Sequence, residues 1–127
     1  MRRFVLYILP VVAYAGVIFF LSSRSSLPAP KVVGFDKVAH FGVYGGLAFL
    51  AARGAHGYGS TLRRAAFFGA LLAAAYGATD EVHQSFVPGR TMEFGDLIAD
   101  ALGALAGAFT WRLWARWNAH RQEDART

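Results

Sequence analysis

Residues 4–21, FVLYILPVVAYAGVIFFL, decide the fold, because this stretch carries no charged side chain. A helix needs about 20 apolar residues to cross a bilayer, so the stretch is long enough, and Pro10 is a candidate kink. The main alternative is a signal peptide, because Arg2 and Arg3 precede the apolar run. A signal peptide would have a shorter apolar region ending at a small-x-small cleavage site, whereas Ala13-Tyr14-Ala15 lies in mid-run. We therefore expect a retained membrane helix.

Three further apolar runs follow, and each has the length of a helix once its flanking turns are added. None shows the two-residue alternation of a membrane barrel strand. The links between the runs are short and rich in Ser, Pro and Gly, as turns are. The sequence therefore predicts one all-α domain, a four-helix transmembrane bundle with short loops, in which a polar cytoplasmic tail follows the last helix. The predicted helices cover residues 4–22, 36–53, 64–81 and 96–114, and the tail covers residues 115–127.

Small residues recur on two of the predicted helices at spacings that bring them onto one helix face. Such surfaces let helix backbones approach closely in a membrane. We expect them to pack helix against helix, and nothing in the sequence resembles a loop that cradles a phosphate. The residues are Ala99, Gly103, Ala104, Gly107 and Ala108 of helix four, and Gly42, Gly45 and Gly46 of helix two.

The composition excludes several functional classes. The chain of 127 residues has 13 Lys and Arg against 8 Asp and Glu, a net charge of +5 that is common in nucleic-acid-binding proteins. However, 55% of the residues are hydrophobic and only 17% are charged, whereas a soluble domain carries roughly a quarter charged residues. Nucleic-acid binding and disorder are therefore not expected. The absence of cysteine excludes disulfide scaffolds, thiol catalysis and cysteine-based zinc sites.

The charges also predict an orientation in the membrane. If both termini are cytoplasmic, the basic residues concentrate in the cytoplasm, as the positive-inside rule requires. The exceptions are Arg24, Lys31, Lys37 and Arg90. The acidic residues lie on the opposite side, except Glu123 and Asp124. Because acidic residues contribute little to topology, their segregation needs another cause.

That cause is a polar cluster at the outer ends of three predicted helices. Spacings of four residues place Asp36 with His40, Asp80 with Gln84, and Asp96 with Asp100 on single helix faces. Such a set of groups can bind an anionic head group, hold a divalent cation or perform acid–base chemistry. Helix caps and interhelical hydrogen bonds are the structural alternative. The cluster consists of Asp36, Lys37, His40, Tyr44, Asp80, Glu81, Gln84, Arg90, Asp96 and Asp100.

Four motifs in this order resemble those of the VanZ-like family, across roughly residues 18–107. They are Phe20-Leu21-Ser22-Ser23; Asp36-Lys37-Val38-Ala39-His40-Phe41 with Tyr44; Asp80-Glu81-Val82-His83-Gln84 with Phe86 and Pro88-Gly89-Arg90; and residues 96–103. The resemblance implies a small multi-pass protein of the bacterial plasma membrane, and the name-giving member is associated with resistance to the glycopeptide teicoplanin. The family often has Asn where this chain has Asp100.

Two hypotheses on function follow. In the first, the cluster binds or modifies a lipid-linked component of the cell envelope, such as a cell-wall precursor, with Arg90 and Lys37 on its phosphate. Asp80, Glu81 and Asp100 would then be acid–base or metal-binding groups and His40 a proton shuttle, while Asp36, Tyr44, Gln84 and Asp96 would contribute to binding. In the second, a non-catalytic membrane protein alters antibiotic access or joins a partner protein, and the cluster only stabilises the bundle. The sequence identifies no cofactor, metal or oligomeric state.

Overall fold

The computed structural model describes residues 1–25 and 32–126, and all the regular secondary structure in this part of the chain is helical. A π-helical turn at Phe4–Ile8 leads directly into α1 (Leu9–Ser22). It is followed by α2 (Phe35–Gly57), α3 (Leu62–Gln84) and α4 (Phe94–Asp124). The predicted all-helical architecture of four helices is confirmed. Thr127 and residues 26–31, which belong to the first predicted link and include Lys31, lie outside the described residues.

The π-helical turn has a cause in the sequence. Pro10 has no backbone N–H, so it cannot donate the hydrogen bond that the carbonyl of Leu6 would receive in a regular helix. That carbonyl instead accepts a hydrogen bond of 2.8 Å from Arg53 Nη1 of α2. Arg53 therefore satisfies the backbone group that the proline leaves free, and it ties the beginning of the chain to α2.

The last helix is longer than expected. The segment expected as a polar tail, 115–127, is helical as far as Asp124. Residues 115–124 contain neither Gly nor Pro and are rich in Ala, Arg, Gln and Glu, which favour helix. At 31 residues, α4 is about 46 Å long.

Helices α2, α3 and α4 pack against one another, and α1 lies along α2 and α3. α3 runs antiparallel to α2, because Gly69 lies against Ala48 and Ala52 while Tyr44 contacts Asp80. α4 runs parallel to α2. One end of the bundle therefore carries residues 23–25, 32–34 and 85–93; we call it the acidic end. The opposite end, with both termini and residues 58–61, is the basic end.

Glycine makes the contact between α2 and α4 close. A Cβ atom on Gly103 would overlap the backbone carbonyl of Phe41, and one on Gly107 would overlap that of Gly45. The predicted small-residue face of helix four is therefore an interhelical contact. On helix two, Gly45 faces α4 and Gly46 faces the Tyr14 ring of α1, whereas Gly42 has no atom within 4 Å of its position for a Cβ.

The bundle buries polar groups and exposes apolar ones. Its core contains Tyr44, Leu47, Trp111 and several alanines, and buried polar side chains adjoin it at the acidic end. Large apolar side chains are exposed on all four helices. They include Val12, Val17 and Phe19 of α1, Phe67, Phe68, Leu71 and Leu72 of α3, and Leu102, Leu105, Phe109 and Leu113 of α4. By length and composition, one helix of the described part, Phe4–Ser22, is a candidate membrane span.

Candidate functional site at the acidic end

Lys37 is the centre of the outermost part of the site. Its Nζ lies 2.8 Å from Asp36 Oδ2, 2.7 Å from Glu93 Oε2 and 2.6 Å from Asp96 Oδ1. An ammonium group has three N–H donors, and here each has a carboxylate acceptor. Lys37 therefore links the first turn of α2 to the first turn of α4 and to the residue just before it.

The same contacts shift the pKa values of Asp36 and Lys37, which both precede the apolar run of α2. The hydrogen bonds to Asp36, Asp96 and Glu93 hold the pKa of Lys37 well above its usual range. The hydrogen bond from Lys37 lowers the pKa of Asp36. Both charges of this exposed pair are thus favoured at neutral pH.

His40 lies one turn deeper and connects three helices. Its Nδ1 is 2.8 Å from Asp100 Oδ1 of α4 and 3.9 Å from Glu81 Oε1 of α3. Its Nε2 is 3.9 Å from Asp96 Oδ2. Since an imidazole nitrogen can donate or accept a proton, His40 is positioned to exchange a proton with the carboxylates around it.

Glu81 and Asp100 are the most deeply buried carboxylates of the site, with 2% and 0% of their surface exposed. The backbone N–H of Glu93 donates to Glu81 Oε2 at 3.3 Å, and Asp100 Oδ1 faces His40. Glu81 Oε1 and Asp100 Oδ2 are buried without a hydrogen-bond partner in the described part of the chain. Each carboxylate therefore keeps one oxygen that is free to interact with another group.

A second chain of hydrogen bonds runs beside His40. Asp80 Oδ2 accepts from the Tyr44 hydroxyl at 2.9 Å and from Gln84 Nε2 at 3.0 Å. Gln84 Oε1 in turn accepts from Arg90 Nη2 at 2.7 Å. The amide of Gln84 thus joins a carboxylate to a guanidinium, which an Asp or Glu side chain cannot do in the ionised form.

Two adjoining cavities open beside these groups. A cleft of about 390 Å³ is lined by residues that include Asp36, His40, Gln84, Arg90 and Glu93. A smaller cavity of about 130 Å³, lined mainly by apolar side chains, extends from it toward α1. His40, Gln84 and Arg90 line both cavities. The site therefore offers a polar compartment and, beside it, a smaller one whose surface is mainly apolar.

All the site residues predicted from the sequence come together at this end, in two layers. The outer layer contains Asp36, Lys37 and Asp96, of which Asp36 is exposed and Asp96 is buried. The deeper layer contains His40, Glu81, Asp100, Tyr44, Asp80 and Gln84, and Arg90 lies in the turn beside it. Both Lys37 and Arg90 were expected to contact a phosphate. Three carboxylates already surround the ammonium of Lys37, so the geometry supports this role less for Lys37 than for Arg90.

Sequence reasoning gave no role to Glu93. Its carboxylate binds Lys37 and its backbone N–H binds Glu81, so it joins the two layers. The available signal was its position three residues before the predicted start of helix four, but an exposed acidic residue there resembles an ordinary helix cap. The buried Ser22, which lines the small cavity, was also missed.

His83 lies apart from the cluster, although it lies between Asp80 and Gln84 in the sequence. Its Nε2 is 3.0 Å from Ser23 Oγ, and its ring stacks on Phe19 with ring centres 4.8 Å apart. His83 thus connects the end of α3 to the end of α1.

Comparison with models of protein families shows a match over most of the chain. The model of the VanZ/LLP1 family matches residues 4–115, which include α1, α2, α3 and most of α4. No curated protein and no solved structure matches the chain.

Proposed function

The chain belongs to the VanZ/LLP1 family, and we propose that it is a multi-pass protein of the bacterial plasma membrane. In this proposal the cleft at the acidic end faces outward and binds the phosphate-bearing head group of a lipid-linked envelope component. The main support for the proposal is the environment of Arg90. Its guanidinium lies in the cleft and has no carboxylate partner among the described residues.

The distribution of polar and apolar side chains supports a location in the bilayer. α2 has 20 residues from Val38 to its end and α3 has 23, about 30 Å and 34 Å, which suffices to cross a hydrocarbon core of about 30 Å. Exposed Leu and Phe side chains cover the outside of the bundle while carboxylates lie inside it. Ionisable groups in membrane proteins face the bundle interior in this way. α1 packs on α2 and belongs to the matched region, which supports a retained helix.

The charge distribution supports cytoplasmic termini. Most of the Arg residues lie at the basic end of the bundle, and the positive-inside rule assigns such an end to the cytoplasm. Trp114 and Trp117 are exposed near that end, where aromatic side chains commonly meet the head-group region. The acidic end, with its cleft, would then face the cell envelope.

Arg90 is better suited to phosphate than Lys37. The hydrogen bond from Nη2 goes to the neutral amide oxygen of Gln84, so the guanidinium charge is not neutralised by it. Guanidinium groups bind phosphate through two parallel hydrogen bonds. The smaller cavity beside Arg90, whose lining includes Ile18, Leu21 and Val43, suits the first carbons of a lipid chain. A role in glycopeptide resistance follows if the ligand is a lipid-linked cell-wall precursor.

Acid–base chemistry on the bound lipid is part of the same proposal. His40 lines the cleft, so it can take a proton from a ligand there, and the buried carboxylate of Asp100 that it contacts would stabilise the resulting imidazolium. Asp80 has a different environment, since two donors already bind its Oδ2 atom. We assign Asp80 to positioning Gln84, and through it Arg90.

Lipid binding by purified protein tests the proposal. The probe is a short-chain polyprenyl phosphate, and the matching uncharged polyprenol reports the contribution of the phosphate. Losing a charge-assisted hydrogen bond costs about 1.5–3 kcal/mol, so Arg90→Gln should weaken binding of the phosphate roughly 10- to 100-fold. Arg24→Gln is the matched control, because Arg24 is exposed at the same end and lies over the Phe20 ring. Equal affinities of wild type and Arg90→Gln would refute the proposal.

A second candidate function is a non-catalytic membrane component that acts through a partner protein or alters antibiotic access. The three ion pairs of Lys37 favour it, because they stabilise the bundle without using the cleft. In that case Asp80→Asn should lower the abundance or thermal stability of the protein, with no separate loss of lipid binding. An Asp80→Asn protein that is stable and well expressed but has lost its activity in the cell envelope would exclude this second candidate function.

A further inference from the structure

We propose that His40, Glu81 and Asp100 bind one divalent transition-metal ion, of the class of Zn²⁺ or Mn²⁺. This inference does not depend on the identity of any lipid ligand. It rests on the positions of three side chains from three different helices, and on two buried oxygen atoms that have no partner in the described part of the chain.

The three side chains each offer one ligand atom within a small space. These atoms all lie within 4.8 Å of one another. His40 Nδ1 is 2.8 Å from Asp100 Oδ1 and 3.9 Å from Glu81 Oε1. Metal–ligand distances of about 2.0–2.2 Å place tetrahedral ligands roughly 3.5 Å apart, so side-chain movements of about 1 Å would complete the site.

Burial and charge point to a cation. Glu81 and Asp100 are 2% and 0% exposed, and an ionised carboxylate this deep costs several kcal/mol unless its charge is compensated. Glu81 Oε1, the oxygen that faces His40, has no hydrogen-bond donor among the described residues. Within that part of the chain, neither carboxylate has a Lys or Arg at ion-pair distance. One imidazolium could balance only one of the two negative charges, whereas a divalent ion would balance both.

The neighbouring carboxylate cluster provides an internal comparison. Asp36, Glu93 and Asp96 also bring three acidic side chains together. There the chain supplies its own cation, since Lys37 Nζ binds all three. A metal ion would have to displace that ammonium, so we assign no metal to the exposed cluster.

The donor set selects the class of metal. One imidazole nitrogen with two carboxylate oxygens suits Zn²⁺, Mn²⁺ or Fe²⁺, whereas Ca²⁺ and Mg²⁺ favour sites made of oxygen alone. Three protein ligands are typical of catalytic metal sites, where the remaining position binds water or substrate. His40 also lines the cleft, so an ion held by its ring would lie at the cleft wall. With the ion bound, the lone pair of the ring would coordinate the metal and His40 would no longer accept a proton.

The experiment is metal titration of the detergent-purified, full-length protein after dialysis against a chelator. Zn²⁺ and Mn²⁺ are titrated by calorimetry, with Mg²⁺ as a comparison, and thermal unfolding is measured with and without each ion. The variants Glu81→Gln and Asp100→Asn keep the shape of each side chain but remove its charge. Glu93→Gln is the matched control, since it alters the exposed cluster and leaves the three ligands intact.

We expect wild type to bind one transition-metal ion per chain and to unfold at a higher temperature when the ion is present. Since altering even an outer-shell partner of a metal ligand typically costs 10- to 100-fold in affinity, each ligand variant should bind at least about tenfold more weakly. Glu93→Gln should match wild type. If Asp100→Asn does not fold, as judged by circular dichroism, Glu81→Gln alone gives the answer.

Two results would overturn the inference. One is a wild-type protein that takes up no more Zn²⁺ or Mn²⁺ than the double variant Glu81→Gln/Asp100→Asn. The other is a Glu93→Gln protein that loses as much affinity as Glu81→Gln, because the ion would then sit in the exposed cluster. Arg90→Gln separates this inference from lipid binding, since it should retain the metal.

Discussion

Gly77 of α3 lies directly against the side chain of Asp100 of α4: a Cβ atom at residue 77 would be 2.9 Å from Asp100 Oδ2 and 2.9 Å from Asp100 Cβ. The carboxylate that His40 contacts therefore occupies space that only a glycine on the facing helix leaves open. A residue outside the cluster thus determines whether the cluster can form.

Replacing Gly77 by Ala should destabilise the protein. The added methyl group would displace Asp100 from His40 or push α3 and α4 apart, and overpacking of this kind typically costs about 1–3 kcal/mol. The free energy of unfolding in denaturing detergent, followed by circular dichroism, measures the effect. Gly42→Ala is the matched control, because no atom lies within 4 Å of that position. Equal stabilities of the two variants would show that the Gly77 contact is unimportant.

Tyr44→Phe should also lower stability, through loss of a single hydroxyl group. The Tyr44 hydroxyl donates to Asp80, and both residues are buried. Removing the donor leaves Asp80 Oδ2 with Gln84 alone, and an underpartnered buried group costs about 1–3 kcal/mol. The same unfolding measurement applies. Tyr58→Phe, on an exposed ring at the basic end, should unfold like wild type, and a loss as large as that of Tyr44→Phe would point to a general effect of removing hydroxyls.

The pair formed by Asp36 and Lys37 should make stability depend on acid pH. In the folded protein, the hydrogen bond from Lys37 lowers the pKa of Asp36. The pair therefore stabilises the fold at pH values above about 3.9, which is the pKa of Asp in an unfolded chain. That contribution is lost as the pH falls through the lower, folded value. Thermal unfolding is measured between pH 5 and pH 3, about one pH unit either side of the unfolded pKa of Asp. Over this range the unfolding temperature of Asp36→Asn should fall less than that of wild type. A wild-type slope identical to that of Asp36→Asn would contradict this assignment.

Because the chain has no cysteine, single cysteines can report its orientation in the membrane. Thr91→Cys lies in the exposed turn at the acidic end, and Ser60→Cys lies between α2 and α3 at the basic end. In intact cells, a membrane-impermeant maleimide should label Thr91→Cys and should reach Ser60→Cys only after the membrane is opened. The reverse pattern would invert the proposed topology, and labelling of both would contradict a spanning bundle.

The helices and the members of the site were predictable because both depend on local spacing. Apolar runs of membrane-spanning length mark the helices, and intervals of four residues place Asp80 with Gln84 on one face. The segment expected as a tail was harder to interpret, because polar residues without Gly or Pro are compatible with either a tail or a solvated helix. The observed α4 reaches Asp124.

Contacts between helices could not be read from spacing in the same way. The contact of Lys37 with Glu93 depends on the shape of the turn before α4, and the pairing of Arg53 with Leu6 depends on a carbonyl freed by Pro10. Each involves residues more than 40 positions apart along the chain, so their meeting follows from the packing of the whole bundle. The unpartnered oxygen of Glu81 likewise emerges only in three dimensions.

The glycines at the contact between α2 and α4 do not by themselves determine the axial position of one helix relative to the other. Gly103 and Gly107 are one turn apart, and Gly45 lies near both, so sliding one helix by a turn, about 5.4 Å, would again bring glycine to glycine. Such a slip would carry Asp96 away from Lys37. The ion pair of Lys37 with Asp96, together with the contact of His40 with Asp100, therefore favours one axial register of α2 and α4 and holds the cluster together before a ligand binds.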